Sequence, residues 1–225
     1  MPVSTTETGA ADPAAPVDGP EPRRDFHFGV AWLAALLIVG LLLGAGGTFL
    51  AVRKAGVPGD TSPEAGFLRD MSTHHAQAVE MSMIAHAGTT DPTIVSLSAD
   101  IALTQNGQVG VMQAWLRDWG LSPTGSQPTM AWMPGGQASV KNGLMPGMAT
   151  PVQIDQLRKA TGKDQDVQFL TLMRAHHLGG LHMAQAIVDQ SSNKDVTWLA
   201  ESMVTGQQSD LNLIDDLLKK AKAGT

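Results

Sequence analysis

The stretch FLRDMSTHHAQAVEM, residues 67–81, returns in modified form as FLTLMRAHHLGGLHM at residues 169–183. Both copies place Phe-Leu, a methionine, two adjacent histidines and a second methionine at the same spacing, with a constant offset of 102 residues. The register continues beyond the motif, where the offset pairs Leu97 with Leu199, Ile101 with Met203, Gln105 with Gln207, Val109 with Leu211, Met112 with Ile214 and Leu116 with Leu218. This repeat predicts two copies of one structural unit.

The spacing within each copy is that of a helix. Phe67, Met71, the histidine pair and Met81 recur at intervals that fall on one helix face. Gly88 to Pro92 interrupts the first helix, and a second amphipathic run follows and ends at Gly120. No strand pattern competes with these helices. We therefore predict an all-α fold, a four-helix bundle made of two repeated helix hairpins.

The segment before the bundle has a different character. Residues 1–25 are rich in Pro, Ala, Gly and Thr without apolar periodicity, which is typical of a disordered tail. Residues 28–52 carry no charged side chain, and roughly 20 apolar residues suffice to cross a bilayer. We therefore predict one transmembrane helix at 28–52, an uncleaved signal anchor, followed by a linker at 53–63. A cleaved signal peptide is the alternative.

The anchor bears on localisation. Arg23 and Arg24 precede it and Arg53 and Lys54 follow it, so positive charge is nearly equal on its two sides and does not fix its orientation. A signal anchor would make this a single-pass protein of the cell membrane with its C-terminal domain extracytoplasmic. That domain is predicted to comprise a bundle over residues 64–222, with repeat 1 at 64–120, a methionine-rich loop at 121–150 and repeat 2 at 164–222.

Composition excludes several classes of function. The net charge is -6, and the 15 Lys and Arg residues are scattered, so no basic face is available for nucleic acid. The absence of cysteine removes disulfides, thiolate metal sites and cysteine nucleophiles. No phosphate-binding loop, G-x-S-x-G or HExxH motif occurs, so a hydrolase is disfavoured.

The repeated histidines and methionines indicate a metal site. On a helix they share one stripe, roughly 120° wide, with Phe67, and so they face the core. Burying an imidazole without a partner costs a few kcal/mol, whereas neutral imidazole is a common metal ligand. A hydrated polar core is the alternative. The candidate ligands are Met71, His74, His75, Met81, Met173, His176, His177 and Met183.

The donor types point to copper. Thioether and imidazole without thiolate favour Cu(I), with Cu(II) on the histidines. A ferritin-type di-iron site needs Glu-x-x-His pairs, and neither copy supplies one. Glu80 also lacks an acidic counterpart, because His182 occupies the equivalent position. Zinc could use the histidines but would leave the methionines without a role. Zinc and iron are therefore less favoured than copper.

Two further groups are candidate accessory ligands. His86 lies beyond His75 on a similar helix face, although a surface histidine at the helix end is the alternative. The loop carries four methionines among prolines and glycines, where they either capture Cu(I) as mobile thioethers or pack over the bundle; these are Met130, Met133, Met145 and Met148. Long loops in compact domains are often functional.

The two Met-x-x-His-His-x-x-x-x-x-Met segments and the sequence MPGM at 145–148 resemble the family numbered 305 among the domains of unknown function. The resemblance covers roughly residues 64–220 and implies a ferritin-like bundle. Relatives include periplasmic copper-binding proteins, so it also implies copper binding through the eight residues named above. Ser72-Thr73 and Gly179-Gly180-Leu181 depart from the usual pattern of the family, but neither departure removes a ligand.

Three hypotheses for function follow. The leading one is a membrane-anchored extracytoplasmic protein that binds copper, as Cu(I), for tolerance or trafficking, without catalytic turnover. The first alternative is a metal-dependent redox enzyme on the same bundle, which needs an open coordination position. The second alternative is an interaction or sensor module whose histidines respond to pH. The expected partners are a metal ion and the membrane, and each hypothesis is compatible with a homo-oligomer.

Overall fold

A computed structural model of the protein describes residues 29–223. These residues fall into two compact units, divided between Ala55 and Gly56. The first unit contains one helix, α1, at Val30–Ala55, which covers most of the segment predicted as the anchor. The predicted tail over 1–25 lies outside the described residues. In the part of the chain that is described, no helix is both long and apolar enough to cross a membrane.

The second unit is helical throughout. Its elements are α2 (Pro63–Gly88), α3 (Pro92–Asp118), α4 (Gly136–Ser139), α5 (Pro151–Lys159), α6 (Gly162–Gln190) and α7 (Lys194–Ala223). Between residues 29 and 223 there is no β-strand, only an isolated bridge between Lys141 and Leu144. The all-α prediction is confirmed. Helices α2 and α3 form one hairpin, α6 and α7 form the other, and α2 packs against α6.

Caps and prolines fix where the helices of the first hairpin begin. Ser62 Oγ accepts a hydrogen bond from the backbone N–H of Ala65, and Pro63 occupies the first turn of α2. Asp91 caps α3 in the same way, and Pro92 follows it. Proline lacks the N–H that a first turn cannot use, so these starts are sharp. The short connection between α2 and α3 makes them antiparallel neighbours.

Two buried clusters make up the core. The first contains Met71 from the start of α2 and Met183 from the second half of α6. The second contains Met81 from farther along α2 and Met173 from the middle of α6. This pairing requires α2 and α6 to run antiparallel. The two repeats are therefore related by an approximate two-fold axis between these helices.

The long connection from α3 to α5 folds back over the bundle. Asp70 Oδ2 accepts hydrogen bonds from the backbone N–H of Met130 at 2.7 Å and from Trp132 Nε1 at 2.9 Å. The indole of Trp132 meets the ring of Phe67 edge-to-face, with centroids 5.5 Å apart. Met130 itself is fully buried. One carboxylate and one aromatic contact thus fix this part of the connection to α2.

The later part of this loop contacts equivalent positions of the two repeats, one on α2 and one on α6. Gln77 on α2 exchanges two hydrogen bonds with the backbone of Ala149, at 2.9 and 2.7 Å. Its counterpart on α6 is Gly179, where an added Cβ would lie 2.0 Å from the carbonyl oxygen of Pro146. The first copy therefore supplies a polar clamp and the second supplies room for the loop backbone.

Replacing Gly179 with alanine is expected to destabilise the protein. Alanine in an open helix position stabilises by about 0.5–1 kcal/mol relative to glycine. At Gly179 the methyl group would instead meet the Pro146 carbonyl, and overpacking of this kind costs typically about 1–3 kcal/mol. Urea unfolding of Gly179→Ala should give a lower free energy of unfolding than the parent protein.

Gly107→Ala is the matched control, because Gly107 lies in α3 with open space around its Cβ position. This variant should be as stable as the parent protein or slightly more stable. Equal stabilisation by both alanines would contradict the close packing of the loop on α6.

Candidate metal centre

All eight residues predicted as ligands lie on the buried sides of α2 and α6. None is more than 1% exposed. The methionines divide between the two core clusters, Met71 with Met183 and Met81 with Met173. Along each helix the histidine pair stands between its two methionines. The structure therefore brings the eight side chains into one buried layer, with imidazoles at the centre and thioethers toward both ends.

Two of the imidazoles meet at the centre of the layer. The rings of His74 and His176, which are equivalent residues of the two repeats, have centroids 3.8 Å apart and planes tilted by 34°. The other two histidines, His75 and His177, face the outer helices of their own hairpins through hydrogen bonds to α3 and α7. The two adjacent histidines of each repeat therefore point in different directions.

Every one of the four imidazoles uses its Nε2 atom in a hydrogen bond. The acceptors are two backbone carbonyls, one amide oxygen and one carboxylate. The pairs are His74 with Pro146 O at 3.1 Å, His176 with His74 O at 2.9 Å, His75 with Gln108 Oε1 at 2.8 Å, and His177 with Asp210 Oδ2 at 3.0 Å.

These acceptors fix the tautomers. Carbonyl and carboxylate oxygens cannot donate, so Nε2 carries the hydrogen in each neutral ring and Nδ1 keeps a lone pair. All four Nδ1 atoms are buried, and none has a hydrogen-bond partner among the described residues. Leaving such atoms unpaired is costly. Histidines that bind metals usually donate their second ring N–H to a carbonyl or carboxylate. The four rings already make this hydrogen bond through Nε2, so their free Nδ1 atoms fit the role of metal ligands.

Burial also keeps three of the rings neutral. Desolvation lowers the pKa of His74 to about 4, against a smaller opposing effect of its hydrogen bond to Pro146. Desolvation, with the neighbouring His74 as the next cause, lowers the pKa of His75 to about 3. Burial lowers the pKa of His176 well below the ordinary range. A neutral imidazole is the form that binds a metal.

The buried imidazoles do not form a complete metal site by themselves. Among the residues that the structure describes, no three His, Asp or Glu side chains are grouped so that they could hold an ion together. Methionine sulfur is therefore the donor type that would complete a site built on these imidazoles. Such a site would suit a soft ion.

The candidate accessory residues behave differently from one another. His86 is exposed at the end of α2, where its Nδ1 faces the carbonyl of Val95 at 3.2 Å. In the loop, Met130 and Met145 are buried members of the Met71 and Met183 cluster. The remaining two, Met133 and Met148, are partly buried and pack against the same cluster. The loop sulfurs therefore cover one end of the layer of predicted ligands.

The side-chain partners of two histidines were not predicted from the sequence. Gln108 and Asp210 are separated by the repeat offset, and their polar character at positions beside the core could have identified them. Gly180 makes room for another polar side chain of this region, because Oε1 of Gln207 would lie 2.4 Å from a Cβ added at Gly180.

Comparison with solved structures agrees with this architecture. A DUF305 protein from Streptomyces coelicolor, assigned as secreted, is 41% identical, and the match covers 73% of this chain and 96% of that one with a TM-score of 0.67. A DUF305 fragment from Deinococcus radiodurans is 29% identical over 72% of this chain and 99% of that one, with a TM-score of 0.60. No curated protein sequence matches the chain.

A more distant match extends the fold to a protein crystallised with copper. CopM in its Cu(I)-bound form is 18% identical, and the match covers 72% of this chain and 97% of that one with a TM-score of 0.53. CopM has also been solved in Cu(II)-bound and Ag-bound forms. The sequence profile described as "Domain of unknown function (DUF305)" matches residues 64–218. Because this match spans well over half of the sequence, the chain belongs to the DUF305 family.

Proposed function

We propose that the protein binds copper, as Cu(I), in the layer between α2 and α6, and that it serves copper tolerance or trafficking as a membrane-anchored extracytoplasmic protein. The ligands are drawn from the histidines and methionines of the two repeats. Copper is cargo in this proposal, so no turnover is required. The bound ion would supply positive charge to a buried layer in which the imidazoles of His74, His75 and His176 are neutral.

The four Nδ1 lone pairs carry this proposal. Each belongs to a fully buried ring whose Nε2 is already hydrogen-bonded, so the remaining nitrogen is directed into the interior without a partner among the described residues. A core stabilised only by packing would gain from replacing such rings with apolar side chains. A ligand-binding core requires the rings, because neutral nitrogen donors with fixed orientation are what an ion needs.

The flanking thioethers favour copper among the metals. Methionine is a soft neutral donor, and soft thioether donors suit Cu(I) better than hard divalent ions. Each end of the layer holds two such sulfurs, one from each repeat. Copper-bound and silver-bound forms of CopM, a protein of similar fold, support this choice of ion.

The location rests on two observations. The DUF305 relative from Streptomyces coelicolor is assigned as secreted, which supports a domain outside the cytoplasm. In this chain the helix α1 precedes the domain and has no charged residue before Arg53. An uncleaved α1 would hold the domain at the outer face of the membrane. Fractionation of cells followed by protease treatment of intact spheroplasts tests both points.

Removing sulfur without removing volume is expected to weaken Cu(I) binding. Leucine and methionine have similar volumes, and their exchange in a core usually costs less than about 1.5 kcal/mol. The double variant Met71→Leu with Met183→Leu should therefore fold but lose at least about tenfold in Cu(I) affinity, as expected for loss of a soft ligand. Anaerobic titration of the full-length protein against a competing Cu(I) chelator measures this.

Met112→Leu is the control, since Met112 is fully buried in the same cluster but is not a proposed ligand. It should keep the parent affinity. The double variant His75→Ala with His177→Ala should lose binding more severely. If all three proteins bound Cu(I) as tightly as the parent, the assignment of copper to this layer would be wrong.

The buried histidines are also expected to make the metal-free protein sensitive to acid. Three of them have a pKa in the folded protein below the usual value of 6.5, so the unfolded chain takes up their protons first as the pH falls. The free energy of unfolding should therefore be constant above pH 7 and decrease from about pH 6.5 toward 5, by about 1.4 kcal/mol per pH unit for each such histidine.

Urea unfolding at a series of pH values between 7.5 and 5 measures this slope, in a window where most carboxylates are still ionised. His182→Gln should leave the slope unchanged, because His182 is exposed on the far side of α6. A flat profile over the whole window would mean that the core histidines reach water and bind protons in the folded protein.

A further inference from the structure

Equivalent histidines of the two repeats have acceptors of different charge. His75 donates to the neutral amide of Gln108, whereas His177 donates to the carboxylate of Asp210. The two acceptors lie at the same repeat position, one helix away from the histidine layer. The distances are nearly the same, 2.8 and 3.0 Å. The two halves are therefore alike in geometry and unlike in electrostatics.

Both acceptors border one cavity of about 110 Å³ between α3 and α7. The end of α3 shares a core cluster with the start of α7, as Met112 with Met203. The start of α3 shares the other cluster with the second half of α7, as Ile101 with Ile214. These helices therefore run antiparallel across the cavity.

The antiparallel arrangement concentrates negative charge at one end of the cavity. Asp100, near the start of α3, lies at the end where Asp210 faces His177. Gln108 shares the opposite end with Ser202, and neither is charged. His177 thus has a carboxylate as its direct acceptor, whereas the direct acceptor of His75 is a neutral amide.

Charge of this kind discriminates between ions. A carboxylate interacts twice as strongly with a divalent ion as with a monovalent one at the same place. A carboxylate that accepts the N–H of a ligating imidazole also makes that imidazole a more basic ligand. An amide acceptor orients the ring but adds no charge. The two halves should therefore differ in the charge of the ion that each prefers.

We propose that Asp210 and Gln108 set this preference, so that the His177 half favours the divalent ion Cu(II) and the His75 half favours the monovalent ion Cu(I). The proposal rests on the copper-binding function proposed above. Asp210 acts through His177 and is a positioning residue. Its side chain is 30% exposed, so solvent screens its charge and the effect should be about tenfold, far below that of a fully buried charge.

The experiment compares Asp210→Asn and Gln108→Glu in the full-length protein. Both substitutions preserve side-chain shape and an oxygen acceptor for the histidine. Cu(II) affinity is measured in air against a Cu(II) chelator, and Cu(I) affinity is measured anaerobically against a Cu(I) chelator. Asp210→Asn should weaken Cu(II) binding about tenfold and change Cu(I) binding less than about threefold. Gln108→Glu should create a second Cu(II) site of comparable affinity, visible in the electron paramagnetic resonance spectrum as doubled bound Cu(II).

Asp216→Asn is the matched control, because it removes the same charge from an exposed position of the same helix. It should change neither affinity. Equal weakening of Cu(I) and Cu(II) by Asp210→Asn would mean that Asp210 only supports the fold of the site, and no change in either affinity would also overturn the inference. If the parent protein bound neither ion, the proposed function itself would fail, which is a different outcome from an altered preference.

Discussion

Burial of four imidazoles between α2 and α6 is the constraint on which the rest of the domain depends. Each ring must place its N–H on an acceptor, because a buried donor without a partner costs more than most single contacts contribute. Those acceptors come from the whole domain: a backbone carbonyl of α2 itself, a side chain on α3, another on α7, and the loop at Pro146. The outer helices and the loop are thus held in register by the histidines they serve.

The approximate two-fold symmetry ends where the loop enters. His176 donates to the backbone carbonyl of His74. Exact symmetry would require His74 to donate to the carbonyl of His176, but it donates to the carbonyl of Pro146 instead. The loop reaches that position because Gly179 leaves its backbone room and Gln77 holds it from the other helix. One repeat position has therefore diverged in the two copies to admit a single asymmetric element.

Much of this could be read from the sequence. The repeat at 67–81 and 169–183 predicted the helical hairpins, because the two copies keep a constant offset. Helical periodicity within each copy predicted the inward direction of the histidines. The acceptor of His74 could not be predicted in the same way. Pro146 is brought to His74 by a loop whose course depends on tertiary contacts such as those of Asp70 with Met130 and Trp132, and sequence periodicity carries no information about such a course.

The adjacency of two histidines in each motif gains a physical explanation from these contacts. Neighbouring residues on a helix point about 100° apart, so one histidine of each pair turns to the helix–helix interface and the other to the outer helix of its hairpin. The inner pair, His74 and His176, meets ring to ring and has little room to differ between repeats. The outer pair meets separate acceptors, Gln108 and Asp210, and each acceptor can change without disturbing the other half. A duplicated site that is to acquire two different properties would therefore diverge at the partners of the outer histidines, which is where this chain carries its charge difference.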